Sequence, residues 1–151
     1  MTDLSGWEPE GIVRWDGYKM KRFSSGPDSL NNDIAPCVFA DSSGFRIWVA
    51  TMGGGLNCYD KRLNKFIYFR HDPGNPASIS SDFFNWAPRS IAEDQDGKIW
   101  AGTKAGGLNR LDKKTGGISG FPTPIPTLSG WKFLTPIQKH SHPCAMIRIT
   151  P

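Results

Sequence analysis

Residues 47–60 read IWVATMGGGLNCYD, and residues 99–112 read IWAGTKAGGLNRLD. Ile-Trp, Thr, Gly-Gly-Leu-Asn and a closing Asp recur in register, so that Trp48 and Trp100, like Asp60 and Asp112, stand 52 positions apart. Self-similarity at a fixed period is the mark of a repeat architecture. A fainter third copy, GIVRWDGYKMKRF, fills residues 11–23 and aligns Gly11 with Gly55 and Gly107, Asp16 with Asp60 and Asp112, and Phe23 with Phe69 and Phe121. The connecting segments repeat as well. PDSLNND (27–33) echoes PASISSD (76–82), and FADSSGFRIW echoes IAEDQDGKIW with one residue inserted.

Each copy reads as four short strands: an apolar stretch ending at an acidic turn, then the Ile-Trp segment, then the Gly-Leu-Asn segment, then one ending in the repeated Phe. Turns rich in Asp, Gly and Asn separate them, as an antiparallel meander requires. Asp-Gly in DQDG suits a tight hairpin, and the Gly-Gly pairs accept φ values that other residues resist. In IWVA neighbouring residues are all apolar, whereas a sheet covered on one face alternates. Small sheets hidden on both faces and repeated in tandem are propeller blades. The fold class expected is all-β, a partial β-propeller of about two full four-stranded antiparallel blades plus part of another. The units divide as a partial first blade and crossover at 1–33, a second blade and crossover at 34–82, a third blade at 83–121 and an irregular tail at 122–151.

Within a blade, the residues that recur are read as packing: Trp48, Thr51, Gly54, Gly55, Leu56, Asn57 and Asp60, matched by Trp100, Thr103, Gly106, Gly107, Leu108, Asn109 and Asp112. A closed ring takes about four to eight blades, so a piece of a longer protein is expected, one whose open faces make the isolated piece aggregate or associate. The tail carries no acidic residue and reads as a linker, an unrelated cap or the product of a shifted frame. Codons for TPIQKHSH read two bases on spell Asn-Pro-Lys-Thr-Leu-Ser, close to NPASIS at 75–80.

Composition sets the outer bounds. In 151 residues, 38% hydrophobic and 21% charged content argues for a folded chain, and 17 Gly with 12 Pro for many turns. The net charge of +4 is mild. The basic pairs Lys21-Arg22, Lys61-Arg62 and Lys113-Lys114 follow the repeated Asp and read as solvated turns, so no nucleic acid partner is expected. Cys37, Cys58 and Cys144 form neither a disulfide framework nor a zinc spacing, and Cys58 looks incidental because Arg110 takes its place in the other repeat. No run approaches the roughly 18 apolar residues of a membrane helix, and the start has no signal-peptide core, so no direct membrane insertion is expected.

Catalytic readings are weak throughout. DQDGK lacks the further oxygen ligands and distal Glu of a calcium loop. Glu93 and Asp94, adjacent on a strand, point to opposite faces and cannot flank one glycosidic bond. MGGGLN lacks the Lys-Ser/Thr of a phosphate cradle. His71 lies in a turn, while His140 and His142 fall in the tail. No catalytic residue, metal or cofactor is expected.

The combination ADSSGFRIWVATMGGGLNCYD, FRHDPGNPASIS and IAEDQDGKIWAGTKAGGLNRLD resembles the two-component regulator propeller repeat across residues 11–121. Gly-His does not accompany Trp15-Asp16, which separates it from WD40, and the rest of the kelch pattern is missing. The resemblance implies the periplasmic ligand-sensing region of a bacterial hybrid two-component histidine kinase and response regulator, non-catalytic in itself and reading an oligosaccharide. It also implies partners in the remaining blades of the same parent chain and a homodimeric parent. The alternative is a propeller piece from a secreted carbohydrate-binding or carbohydrate-processing protein. Ligand contacts are sought where the repeats disagree. The turns carrying Met52 and Lys104 share a face with the crossovers. There FFNWAPR, about four residues longer than its counterpart after Asp33, offers a ring beside amide and guanidinium donors in Asn85, Trp86 and Arg89.

Overall fold

A computed structural model describes residues 11–15, 17–84, 90–121 and the backbone of 146–148. No helix occurs among the described residues. The second repeat folds as β3 (Cys37–Ala40), β4 (Arg46–Ala50), β5 (Leu56–Asp60) and β6 (Lys65–Phe69), an antiparallel meander in that spatial order. The third repeat builds the same sheet from β7 (Ile91–Glu93), β8 (Ile99–Thr103), β9 (Gly107–Leu111) and β10 (Ile118–Phe121). In the first, β1 (Ile12–Trp15) and β2 (Met20–Phe23) form the hairpin that matches β5–β6 and β9–β10, with Ile12 opposite Phe23 as Leu56 is opposite Phe69. These are two full blades and part of another, the expected all-β partial propeller. The other edge of β1 is taken by β11 (Met146–Arg148) in parallel, where the full blades have an antiparallel strand.

The turns follow from their residues. Asp41 and Asp94 open the first hairpin of each blade, where Gly44 N–H donates to Asp41 C=O at 3.1 Å and Gly97 N–H to Asp94 C=O at 3.0 Å. Both glycines sit in the left-handed region, at φ 71° and 74°, as such hairpins need. DQDG is thus the expected tight turn, its Asp94 Oδ1 also accepting Asp96 N–H and Lys98 N–H. Asp60 and Asp112 close the third strand by accepting the backbone N–H two residues on, at 2.9 and 2.8 Å.

The Gly-Gly pairs have distinct duties. A Cβ on Gly54 would stand 2.7 Å from the Asn31 Cβ, and one on Gly106 2.6 Å from the Ser80 backbone oxygen. Asn31 and Ser80 belong to the two repeated crossovers, so the first Gly makes room for the incoming chain. The second Gly turns the backbone: Gly55 has φ +74°, and a Cβ there would meet the Phe69 carbonyl oxygen at 2.4 Å. The repeated Asn clamps the same crossover. Asn57 Oδ1 accepts Asn31 N–H at 3.1 Å, and Asn109 Oδ1 accepts Ser80 N–H at 2.9 Å. Leu30 and Ile79, one residue earlier, are both 1% exposed. The crossover thus plugs an apolar residue under its blade and fixes the next one by backbone hydrogen bonds.

The core lies between blades. Ile12, Phe23 and Leu30 pack on Ile47, Val49 and Tyr59 across the first seam. Trp48, Ala50, Leu56 and Cys58 pack on Ile91, Ile99, Ala101 and Leu111 across the second. Successive residues of β4 therefore serve opposite seams, which is why IWVA does not alternate. Cys58 is not incidental: it is 1% exposed, and burial pushes its thiol up to about 12, so it acts as a small apolar filler of the second seam. The inner strands β3 and β7 lie beside each other.

Candidate functional site

The face expected to read a ligand is laced by backbone hydrogen bonds. Met52 N–H donates to Ile34 C=O at 2.9 Å, tying the β4–β5 turn to the first crossover. Gly53 N–H and Gly55 N–H both donate to Asp82 C=O at 3.0 Å, tying the same turn to the second. Met52 also bridges Phe83, and Lys104 N–H, in the β8–β9 turn, donates to Phe83 C=O at 2.8 Å. Met52 and Lys104 are thus brought to one place through Phe83. That ring is 54% exposed and runs along Gly53, where a Cβ would meet its edge at 3.4 Å. The next residue, Phe84, is fully buried in the second seam. A buried anchor beside an exposed ring fixes Phe83 at the surface. Asn85, Trp86 and Arg89 lie outside the described residues.

Sequence reasoning passed over Phe83 in favour of Trp86. Its signal was present: in the doublet Phe83-Phe84, neighbouring residues of extended chain point to opposite sides, so one ring goes in and the other out.

The carboxylates of the described residues are engaged structurally. Burial alone would raise Asp41, but donors from Ser43, Lys113 and Trp48 outweigh it and hold the carboxyl below its ordinary range. Glu93 is held low in the same way: burial is overcome by Lys113 and by the Ser42 N–H and hydroxyl, the N–H at 2.6 Å. Lys113, on the third blade, thereby ties Asp41 of the second at 3.1 Å, and its side chain is only 14% exposed. Asp112 is drawn down to about 2, chiefly by Lys98. The reading of the basic pairs as solvated turns therefore fails for Lys113. It holds for Arg62, exposed beside Asp60. His71 Nδ1 pairs with Ile79 C=O at 2.8 Å inside its turn.

Residues 81–105 match the model of the family described as two component regulator propeller. Among solved structures, the chain is similar to the "extracellular domain of the putative hybrid two component system BT3049" from B. thetaiotaomicron, at 24% identity and a TM-score of 0.66. The likeness covers 76% of this chain but 16% of that one, so the chain spans about a sixth of its neighbour's length. No curated protein matches. The repeated sentences, the crossover clamp and the blade seams all converge: this is a partial β-propeller, residues 81–105 of which match the two component regulator propeller model, and its fold is similar to that of the extracellular domain of a hybrid two-component system.

Proposed function

We propose that the chain is a non-catalytic, ligand-reading section of the sensor propeller of a hybrid two-component histidine kinase and response regulator, displayed on the periplasmic side of the inner membrane. Its partners are the remaining blades of the parent chain, which works as a homodimer, and its ligand is an oligosaccharide. The supporting observation is that backbone bonds bring Met52, Phe83 and Lys104 together on one face, with the Phe83 ring and Lys104 both exposed. Ring faces stack on sugar C–H surfaces, while charged and amide groups bond hydroxyls. Asn85, Trp86 and Arg89, which follow Phe84 in sequence, complete the proposed site. The non-catalytic reading is supported by the carboxylates Asp41, Asp60, Glu93, Asp94 and Asp112, each drawn low by donors that hold turns or seams.

Glycan-array binding by the parent propeller tests the proposal. A neutral or charged oligosaccharide should bind, and Phe83→Ala and Trp86→Ala should each weaken it at least tenfold. Unchanged binding in both variants would remove the site, and the absence of any glycan ligand would remove the sugar-sensing role.

A further inference from the structure

The second seam shows how one acidic turn joins two blades, and the first seam repeats the receiving half of that joint. Asp41, in the turn between β3 and β4, accepts Trp48 Nε1–H of its own blade at 3.3 Å and Lys113 Nζ of the next blade at 3.1 Å. Cys58, whose thiol burial raises, also feels the charges of Asp41 and Lys113, so its position adjoins the joint. On the third blade Arg110 takes the place of Cys58, and its Nε lies 4.0 Å from Asp94 of the matching turn.

One unit back, two cations occupy these receiving positions. Arg14 stands three residues after Gly11, as Cys58 does after Gly55 and Arg110 after Gly107. Lys61 follows Asp60 as Lys113 follows Asp112. Among the described residues neither cation meets a carboxylate. Arg14 Nη1 donates to the Tyr59 hydroxyl at 3.4 Å, and its Nε is buried without a hydrogen-bond partner. Lys61 Nζ donates to Gly44 C=O at 2.8 Å. A buried guanidinium nitrogen left unpaired is costly and points to an absent acceptor. The strand on the other edge of β1 does not bring one. β11 pairs there in parallel over three residues, and residues 122–151 contain no Asp or Glu.

We infer that β1 and Lys61 form a docking edge for a hairpin from the repeats of the parent chain, two antiparallel strands joined by a turn whose Asp is received by Arg14 and Lys61. Its second strand adds to β1 as β4 adds to β5 and β8 to β9, in place of β11. The Trp of that strand falls opposite Arg14, as Trp48 is opposite Cys58 and Trp100 opposite Arg110. The Arg110 guanidinium lies 5.7 Å from the centre of the Trp100 ring, the contact that Arg14 then makes. The inference rests on the proposed partnership with the remaining blades of the parent chain, and it is independent of the sugar-reading face.

Isothermal titration of the full chain with a synthetic peptide of residues 90–104, the third blade's own hairpin, tests the edge against the same peptide carrying Asp94→Asn. The acidic peptide should bind, weaken as salt is raised, and exceed the Asn form at least tenfold. Arg14→Met and Lys61→Met in the full chain should each weaken the acidic peptide at least fivefold and bring the two peptides closer in affinity. Lys114→Met, exposed in the equivalent turn of the third blade, should change neither. Circular dichroism checks the fold, and Lys61→Gln serves as a milder variant should either Met form misfold. Equal affinity of the two peptides, no binding of either, or full affinity in the variants would each overturn the docking edge, while glycan binding by the parent would still support the sensing role. Light scattering addresses the source of the hairpin. Dimerisation of the full chain that Lys61→Gln abolishes would give the edge to a second copy and overturn its assignment to the parent chain.

Discussion

The second and third blades are written in nearly the same words, yet they are buried differently. All five residues of β5 and four of the five in β4 are buried. In β8 and β9 only five of the ten residues are buried, and the rest are half-buried. Ile99, Ala101 and Leu111 face the second blade and are covered; Trp100, Leu108 and Arg110 face away and are not. The internal bonds are preserved regardless. Trp48 stacks on Phe69 at 5.8 Å and donates to Asp41, while Trp100 stacks on Phe121 at 5.7 Å and donates to Asp94. A blade therefore organises its own Trp, Phe and Asp, and only the neighbour seals them from water. What the repeat encodes is a surface prepared for another blade.

The sharpest way to break that comparison is to truncate both tryptophans. Trp48→Ala should cost about 3–5 kcal/mol, the range for removing a large ring from a packed core. Trp100→Ala should cost less than half as much, because among the described residues no blade covers its outer side. Urea unfolding of each variant of the full chain measures the difference. Equal losses would mean that the outer face of the third blade is covered after all. Dependence of the Trp100→Ala loss on protein concentration would then identify the cover as a second copy.

Glycines sharpen the same point one step down. Gly55 and Gly97 share φ +74°, but a Cβ at Gly55 would meet the Phe69 carbonyl oxygen at 2.4 Å, whereas at Gly97 the first atom is the Glu93 carboxylate end at 3.7 Å. Gly97→Ala should cost about 1–2 kcal/mol from backbone strain alone. Gly55→Ala adds overpacking and should cost about 2–4 kcal/mol. Chemical denaturation of the two variants reads this directly, and the recurrence of Gly55 as Gly11 and Gly107 already points to the harsher constraint.

That recurrence explains what could be read from the chain alone. Strand order, hairpins and the two-sided burial of IWVA were legible because every blade solves the same packing problem with the same residues. What escaped lies at positions where the units differ or where one unit reaches the next. Cys58 looks incidental in sequence because Arg110 replaces it, yet the two sit on faces with different neighbours. Lys113 looks solvated in sequence because its neighbours there are turn residues, whereas its partners Asp41 and Glu93 are 72 and 20 residues away. Phe83 emerges only once Met52 and Lys104 are seen to converge.

The seam lysine gives the comparison a pH signature. Asp41 and Glu93 titrate below their ordinary values, so their contribution is fully present above the unfolded values of roughly 3.9 and 4.3. It is lost as pH falls through the depressed folded values. Burial alone would lower Lys113, but the two carboxylates outweigh it and raise it. Its contribution is therefore present below roughly 10.4 and lost as pH climbs through the raised folded value. Lys113→Met should cost about 1–3 kcal/mol at neutral pH by leaving buried acceptors short of a donor. It should also abolish the alkaline limb and flatten the acid one, because burial then lifts both carboxyls toward their ordinary range. Melting temperatures from pH 3 to 11 would display both changes.

The smallest effect separates the ion pairs at the end of the third strand. In the second blade, Arg46 lies 3.6 Å from Asp60, whose side chain is 2% exposed. In the third, Lys98 contacts Asp112, but both side chains keep about a quarter of their exposure, at 25% and 28%. Water and salt screen the second pair far more than the first. Arg46→Ala leaves a buried carboxylate with Arg62 as its cation and the Arg62 and Leu63 backbone N–H groups as donors, while Lys98→Ala leaves one that water can reach. Thermal melts should therefore show a clear loss for Arg46→Ala that persists in high salt. Lys98→Ala should give the smallest shift of all, vanishing as salt rises. A Lys98→Ala loss as large as that of Arg46→Ala and insensitive to salt would mean that Asp112 is shielded like Asp60, and that the third blade is not the open one.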